Sequence, residues 1–512
     1  MYTLKSRLQM TAKNAFWSYC SMIITSLISF VSRTIFIYCL GEGYLGISGL
    51  FSSVLGVLSF AELGIGVAIN FSLYKPVANR DTEKIKAYMH AYKIAYRYIA
   101  CIIAVIGLIL VPFLHYLVKD PGDVGNITVY YLIYLFNTVT SYFVSYKFSL
   151  VNAEQKNYIY TNAHLLMSVT STILQIIVLL LYKNYLIYLL ISSAFGLVQK
   201  VIISQYFNHL YPYLREKSDM RLTEEEKKTL STKVKALLMH KIGSVSVHQT
   251  DNIIVSSFIS TTMVGLLSNY NLLINTVNSV ISILFNSVVG SLGNLVAQES
   301  KERQYDVFCK YRFLAFWFYG FSSVALGILM TPFIMLWLGE KMVVDQTVIK
   351  LILVNYYMIG HRVCLNNIKS AAGIFEIDKY IALIQAIVNL IVSIALVKAI
   401  GLPGVYIGTI VQGTISTVFK PILCYKPLFN KDCRYYFQDS FKYAFAVIVA
   451  YEICEGISRC VLYEVTFARF FVMMFAVTII PNALFYCLFK NRNEFCYFKN
   501  IIKMFIYRRK TI

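Results

Sequence analysis

The sequence predicts an all-α, polytopic membrane protein with about 14 transmembrane helices, arranged as two six-helix lobes plus two C-terminal helices. Three observations predict this fold class. The 512 residues are 58% hydrophobic and 14% charged, the mean hydropathy is +0.61, and the apolar residues form runs of about 20. Such a run lets an α-helix cross a hydrocarbon layer of about 30 Å. Because these runs fill most of the chain, a separate soluble catalytic or nucleic-acid-binding domain is excluded.

The hydrophobic runs define four segments of the chain. The first lobe, residues 1–210, contains predicted spans near 14–38, 44–70, 94–117, 127–150, 161–181 and 185–207. Residues 211–241 are the longest hydrophilic stretch and are interpreted as a cytoplasmic linker between the lobes. The second lobe, residues 242–425, contains predicted spans near 242–260, 263–291, 313–337, 347–368, 380–399 and 404–424. Residues 426–512 add spans near 442–461 and 466–489 and a basic cytoplasmic tail.

The charge distribution predicts the orientation of the spans. The 47 Lys and Arg outnumber the 26 Asp and Glu by 21, and most of the basic residues fall on one side when the connecting segments are alternated. The positive-inside rule therefore places both termini in the cytoplasm, and the excess charge does not indicate a nucleic-acid partner. The eleven Cys have no regular spacing, so we expect no metal site and no cofactor.

The two groups of six spans resemble copies of one unit. A shift of 297 − 78 = 219 residues sets Ala78 on Ala297 and Gly46 on Gly265. Because six is an even number, such copies have the same orientation in the membrane. Repeats of this kind leave a cleft between two helix bundles, which is where transporters place their substrate.

Charged residues inside apolar spans are candidates for function, because each costs about 2.5 to 3.5 kcal/mol on insertion scales. Arg33, Glu62, Lys147 and Asp251 are the main examples. The 219-residue shift sets Arg33 on Asn252, the neighbour of Asp251. These groups either bind a charged substrate or form an ion pair between the lobes. Lys147 either binds substrate or extends to the headgroups.

Further polar positions occur in the second lobe and in the sixth span. Lys200, His361 and Arg362 lie close enough to span ends that structural roles are equally open. In the eighth span, Asn271 and Asn275 are four residues apart and share one helical face. Their amides either bind sugar hydroxyls or hydrogen-bond neighbouring helices.

Several motifs carry a family resemblance that extends over nearly the whole chain. They are residues 41–46 (GEGYLG), 61–66 (AELGIG), 71–76 (FSLYKP), 152–156 (NAEQK), 240–243 (HKIG), 250–256 (TDNIIVS), 268–270 (SNY) and 404–409 (GVYIGT). With these motifs the chain resembles bacterial polysaccharide transporters, the O-antigen and capsule repeat-unit flippases. Their superfamily also contains multidrug and toxin extruders and the peptidoglycan lipid II flippase.

The resemblance implies a transporter of the bacterial inner membrane and not an enzyme. Its substrate would be an undecaprenyl-pyrophosphate-linked oligosaccharide, moved to the outer leaflet by alternating access for O-antigen, capsule or exopolysaccharide synthesis. Membrane lipids and a glycan polymerase are the expected partners. Arg33 resembles the cavity arginine of the lipid II flippases and would contact the pyrophosphate. Asp251, Asn252, Asn271 and Asn275 are expected to contact sugar.

Two other functions stay open at this stage. A cation- or proton-coupled multidrug exporter of the same fold would need an acidic rather than a basic cavity in the first lobe. In the flippase, Glu62 and Asp251 are the candidates for gating or ion coupling. A membrane-bound glycan polymerase or glycosyltransferase would need a sizeable outer loop. The predicted outer loops, such as residues 119–126 and 401–404, are too short for one.

Overall fold

The computed structural model describes residues 4–62, 65–154, 156–216, 222–374 and 377–509, and in these residues all regular structure is helical. The all-α fold class predicted from the sequence is confirmed. The chain divides into two compact units, Met1–Gly265 (unit 1) and Leu266–Ile512 (unit 2).

Unit 1 contains ten helices in its described residues and the start of an eleventh. They are α1 (Leu4–Leu40), α2 (Glu42–Leu58), α3 (Ile65–Asn79), α4 (Thr82–Leu110), α5 (Leu114–Leu117), α6 (Ile127–Ser145), α7 (Phe148–Ala153), α8 (Asn157–Tyr182), α9 (Tyr185–Leu210) and α10 (Glu224–Phe258). Helix α11 (Thr261–Ser287) continues from unit 1 into unit 2.

Unit 2 is built from the rest of α11 and eight further helices in the described residues. They are α12 (Val289–Gln298), α13 (Lys301–Leu338), α14 (Gln346–Ala371), α15 (Lys379–Ile400), α16 (Leu402–Phe429), α17 (Arg434–Val461), α18 (Phe467–Phe489) and α19 (Asn493–Arg509).

The helices agree with the predicted membrane spans. Within the described residues, 11 helical stretches are long and apolar enough to cross a membrane. The predicted spans 242–260 and 442–461 lie on α10 and α17, and the described part of 44–70 lies on α2, a 3-10 turn and α3. These helices are shorter or more polar than the other eleven stretches. The hydrophobic runs therefore locate the helices of a multi-pass membrane fold correctly.

Polar caps fix where several of these helices begin. The Asp81 carboxylate accepts a hydrogen bond from the backbone N–H of Lys84 at the start of α4 (3.0 Å). Thr223 and Glu226 form a reciprocal capping box at the start of α10, which satisfies two backbone N–H groups that have no partner inside the helix. Each cap lies where an apolar run gives way to charged sequence, so the helices begin beside the polar segments.

Four predicted spans are interrupted by turns that the hydrophobic pattern does not predict, and two of these turns hold predicted site residues. In the span 44–70, α2 ends at Leu58 and a 3-10 turn, Ser59–Glu62, follows. The Ser59 hydroxyl donates to the carbonyl of Leu55 (2.8 Å) and so competes with the helical backbone. In the span 127–150, α6 ends at Ser145 and α7 begins at Phe148. Glu62 and Lys147 lie at these two interruptions.

The described part of the predicted linker, residues 211–216 and 222–241, belongs to unit 1 and is helical from Glu224 onward as the first part of α10. The Lys84 ammonium pairs with Glu226 (2.7 Å). Beside it, the Lys86 ammonium binds Glu83 (2.7 Å) and Glu216 (2.8 Å). These ion pairs hold both ends of the charged stretch against the start of α4.

Helices α2 and α11 approach each other closely through two glycines. A Cβ added at Gly46 would lie 1.9 Å from the carbonyl oxygen of Thr261, and one added at Gly265 would lie 2.3 Å from that of Glu42. The 219-residue shift relates these residues pairwise, because 46 + 219 = 265 and 42 + 219 = 261. Both glycines belong to unit 1, and each leaves room for a backbone carbonyl of the other helix.

Candidate functional site

Arg33, the predicted pyrophosphate contact, is half-buried in α1. It lies 40 − 33 = 7 residues before the end of the helix, or about 10 Å from it. Its guanidinium interacts electrostatically with Tyr188 of α9, and one turn further on Phe36 packs edge-on against Tyr185 and Tyr188. Arg33 therefore faces the aromatic surface of α9. Its role in binding substrate stays a prediction.

Lys200 lies between α9 and α6, in the middle of the bundle. Its ammonium donates to the backbone carbonyl of Asn137 (3.1 Å) and to the Thr140 hydroxyl (2.7 Å). Asn137 lies 137 − 127 = 10 residues after the start of α6 and 145 − 137 = 8 before its end, or about 15 Å and about 12 Å from them. Its amide donates to Ser193 of α9 (2.7 Å). Lys200 is therefore held inside unit 1 by neutral groups and does not extend to a helix end.

Lys147, a predicted substrate contact, is buried at the turn between α6 and α7, with 7% of its surface exposed. Its ammonium donates to the Ser204 hydroxyl (2.6 Å) and to the side-chain oxygen of Asn208 (3.0 Å). It also lies 5.5 Å from the centre of the Phe207 ring, in cation–π range. All these partners belong to α9 and are neutral, so the positive charge stays uncompensated by them.

An apolar groove of about 400 Å³ adjoins Lys147. It lies between α7, α8 and α9, and its walls include Phe148, Leu166, Ile203 and Phe207. Phe148 follows Lys147 in the chain and Phe207 receives its ammonium, so the cation and the groove share a wall. A volume of this size is typical of lipid and small-molecule sites, which are about 300 to 1,000 Å³.

Glu62 lies in the 3-10 turn after α2. The Tyr96 hydroxyl donates to its carboxylate (2.8 Å), and the Tyr92 hydroxyl donates to that of Tyr96 (2.9 Å). A Cβ at Gly66 would lie 2.8 Å from the Tyr92 hydroxyl, so a glycine there leaves room for the chain of hydroxyls. A carboxylate at an interrupted helix is a common setting for ion coupling, and that role of Glu62 stays a prediction.

The four other predicted contacts are divided between the two units. Asp251 and Asn252 are half-buried on α10 in unit 1, and the Asn252 amide donates to the Ser53 hydroxyl of α2 (3.0 Å). In unit 2, Asn271 is half-buried and Asn275 is exposed on α11. The structure thus brings Asn252 against α2. Sugar binding by these residues, and gating by Asp251, stay predictions.

Unit 2 contains a buried cluster of cationic side chains at one end of its helices. The Arg312 guanidinium on α13 donates to the backbone carbonyl of Tyr436 (2.7 Å) and to the Ser440 hydroxyl (2.6 Å). It also stacks 3.9 Å from the centre of the Tyr436 ring. On α14, His361 is bonded to the same Ser440 (2.8 Å) and Arg362 donates to a backbone carbonyl of α16 (2.9 Å).

Two lysines extend this cluster toward the turn between α14 and α15. The Lys369 ammonium binds the carboxylate of Asp378 at 2.5 Å, and the Lys420 ammonium lies 3.9 Å from the same carboxylate. Lys420 also donates a long hydrogen bond to Asn366 (3.4 Å). It interacts electrostatically with both Lys369 and Arg362, so the cations form one group.

Sequence reasoning missed most of this cluster. Arg312 precedes the predicted span 313–337 by one residue, and Lys369 follows the predicted span 347–368 by one residue, so neither counts as a charge inside an apolar span. Two signals could have identified Lys420. It lies inside the predicted span 404–424, and no acidic residue lies within four residues of it in the sequence. In the described residues no group of three His, Cys, Asp or Glu is arranged to hold a metal ion.

The geometry defines a multi-helix membrane protein with buried cations in both units. Three solved structures with this fold are similar to the chain. The lipid II flippase MurJ, in an inward closed conformation, has a TM-score of 0.63 and covers 93% of this chain and 99% of its own at 14% identity.

Two multidrug transporters are also similar in structure. An inward-facing MATE family transporter of the MOP superfamily has a TM-score of 0.59 at 14% identity and covers 79% of this chain and 96% of its own. The MATE transporter VcmN of Vibrio cholerae has a TM-score of 0.57 at 14% identity and covers 83% of this chain and 99% of its own. No protein-family profile and no curated protein sequence matches the chain. At 14% identity the likeness establishes a shared fold.

Proposed function

We propose that this protein is a flippase that moves an undecaprenyl-pyrophosphate-linked oligosaccharide from the cytoplasmic to the outer leaflet of a bacterial inner membrane. One observation carries the proposal: Lys147 and Lys200 are held within the helices of unit 1 by neutral partners. An interior with uncompensated cations attracts an anionic substrate and repels the cationic compounds typical of drug exporters.

The chemistry of the substrate explains why such an interior is needed. Hydroxyl groups of a sugar cost several kcal/mol each to place in hydrocarbon without partners, and an ionised phosphate costs far more. Lys147 offers a charge-assisted donor for a phosphate oxygen. The apolar groove beside it suits the prenyl chain. An amphiphile with an anionic head thus fits this part of unit 1 better than a compact soluble drug.

A cation- or proton-coupled multidrug exporter is the second candidate. The hydrogen-bonded Glu62 favours it, because a carboxylate inside the first unit can bind a proton or a metal cation. The shared fold is compatible with both functions. The two differ in the charge of the substrate that the interior must receive.

Reconstituted transport distinguishes the two functions. The protein is placed in proteoliposomes with a fluorescent prenyl-pyrophosphate-linked sugar in one leaflet, and arrival in the other leaflet is measured by quenching. We expect Lys200→Gln to slow translocation at least about tenfold, the loss of one charge-assisted contact. Lys228→Gln, at an exposed lysine on α10, is the matched control and should not slow it.

The result that would refute the proposal is equally direct. Wild-type protein that leaves the labelled lipid in place and extrudes a cationic dye along an ion gradient is a drug exporter. The predicted cytoplasmic location of both termini is tested separately: cysteine tags at the termini are labelled from either side of the membrane. A glycan polymerase partner is tested by co-purification.

A further inference from the structure

The cationic cluster of unit 2 carries more positive charge than its own residues neutralise. Arg312, Arg362 and Lys369 are 3%, 7% and 6% exposed, and Lys420 is mostly buried. Asp378, 1% exposed, is the carboxylate bound to this group in the described residues. Four cations and one carboxylate leave 4 − 1 = 3 positive charges. The carboxylate of Asp439, beside Ser440 in the sequence, is already paired with Arg492 (2.7 Å).

Burying an ion without a counter-charge costs several kcal/mol even after the protein relaxes. The neutral acceptors around Arg312 and Arg362 satisfy hydrogen bonds but leave the charges uncompensated. Two donors in the same place are also unused. The Nε of Arg312 and the hydroxyl of Tyr436 are buried, and neither makes a hydrogen bond to any described residue. Unused donors beside excess positive charge define a site for an anion.

The position and charge of the cluster select the anion. Lys369 is two residues before the end of α14, and Asp378 follows in the turn to α15. The lysine end of the cluster therefore lies near the end of α14, and Arg362 lies 371 − 362 = 9 residues before that end. A membrane phosphodiester brings one negative charge, whereas a diphosphate diester brings two and presents more acceptor oxygens. The diphosphate diester matches the three excess positive charges, and the spread of donors over three helices, more closely than the phosphodiester does.

We propose that the cationic cluster of Arg312, Arg362, Lys369 and Lys420 binds the diphosphate group of a prenyl-linked substrate, and that Asp378 is the internal anion that this group displaces. The proposal rests on the proposed function and adds a second anion site, in unit 2, to the cations of unit 1. In the absence of diphosphate, the Asp378 carboxylate holds Lys369 and Lys420 in place. When diphosphate enters, its oxygens take over these two ammonium groups.

The test measures binding of inorganic pyrophosphate to the purified full-length protein in detergent by calorimetry. Lys420→Gln removes a cation whose contacts are one long hydrogen bond to Asn366 (3.4 Å) and a 3.9 Å ion pair with Asp378, so the fold should tolerate it. We expect its affinity for pyrophosphate to fall about tenfold to a hundredfold, or about 1.4 to 2.8 kcal/mol, and Lys420→Arg to restore most of the loss. Arg303→Gln, at an exposed position of α13, should leave the affinity unchanged.

Asp378→Asn gives the distinguishing result. If the carboxylate competes with the ligand, its removal should tighten pyrophosphate binding, whereas removal of a merely structural residue would weaken it or leave it unchanged. Orthophosphate and vesicles of phosphatidylglycerol are the competing probes. Displacement of pyrophosphate by either one at equal concentration would assign the site to free phosphate or to a bulk lipid headgroup and would overturn the proposal.

Two further outcomes also overturn it. One is a wild-type protein that binds no pyrophosphate to saturation. The other is an equal loss of affinity in Lys420→Gln and Arg303→Gln. Either result together with intact translocation of the labelled lipid rejects the unit 2 site and retains the flippase. Saturable pyrophosphate binding without translocation rejects the flippase and retains the site.

Discussion

Replacement of Gly46 by alanine tests the close approach of α2 and α11. The added Cβ would lie 1.9 Å from the Thr261 carbonyl oxygen and 2.7 Å from its carbonyl carbon. Non-bonded carbon and oxygen atoms do not approach within about 3 Å, because dispersion attraction turns to repulsion well before that distance. The two backbones would therefore have to separate by at least about 3.0 − 1.9 = 1.1 Å. Because the obstacle is backbone, no side chain can rotate away.

The magnitude follows from this overlap. Overpacking of a well-packed contact costs about 1 to 3 kcal/mol, and alanine regains about 1 kcal/mol of helix propensity over glycine. Gly196 on α9 is the matched control, since a Cβ there meets nothing within 4 Å. Subtracting the effect of Gly196→Ala cancels the propensity and leaves the overlap itself. For Gly265→Ala the separation needed is smaller, about 3.0 − 2.3 = 0.7 Å.

The assay is reversible unfolding of the purified protein in mixed micelles, followed by helical circular dichroism. The free energy of unfolding should decrease in the order Gly196→Ala, Gly265→Ala, Gly46→Ala, with about 1 to 3 kcal/mol between the first and the last. A Gly46→Ala protein as stable as Gly196→Ala would show that the two helices are not in backbone contact, and would refute the reasoning.

Three further outcomes are expected. Tyr96→Phe removes the hydrogen bond to the Glu62 carboxylate and should lower the free energy of unfolding by about 1.5 to 3 kcal/mol; an unchanged value would mean that the bond does not form. The hydrogen bond from Lys84 lowers the pKa of Glu226 below its usual value. Its stabilising effect is therefore present at neutral pH and lost as the pH falls through that lowered pKa, so Glu226→Gln should be less stable than wild type at pH 7 and equal to it in acid. Arg33→Glu should abolish glycan export with the protein still in the membrane, and undiminished export would remove Arg33 from the substrate path.

The hydrophobic runs predict most of the fold because the membrane imposes one simple requirement, a long apolar helix with its backbone bonds satisfied internally. In the described residues every predicted span accordingly coincides with one helix or with consecutive helices. The turns at Glu62 and Lys147 were not predicted, because they depend on local bonds such as that of Ser59 to Leu55. The mean hydropathy over about 20 residues does not reveal a single serine whose hydroxyl donates to a carbonyl of its own helix.

The candidate site was less predictable than the fold. Arg33, Glu62 and Lys147 stand out as charges in apolar sequence. The structure shows which residues of neighbouring helices each of them interacts with. Lys420 and Asp378 are 42 residues apart in the chain (420 − 378 = 42), and only packing of α14, α15 and α16 brings them together. The sequence alone does not show that two residues so far apart in the chain are in contact.

The paired glycines of α2 and α11 limit which sequences can fold into unit 1, the unit to which both residues belong. Each glycine faces a backbone carbonyl of the other helix, and a backbone carbonyl cannot be made smaller by a change of side chain. A second substitution nearby is therefore not expected to compensate for the loss of either glycine.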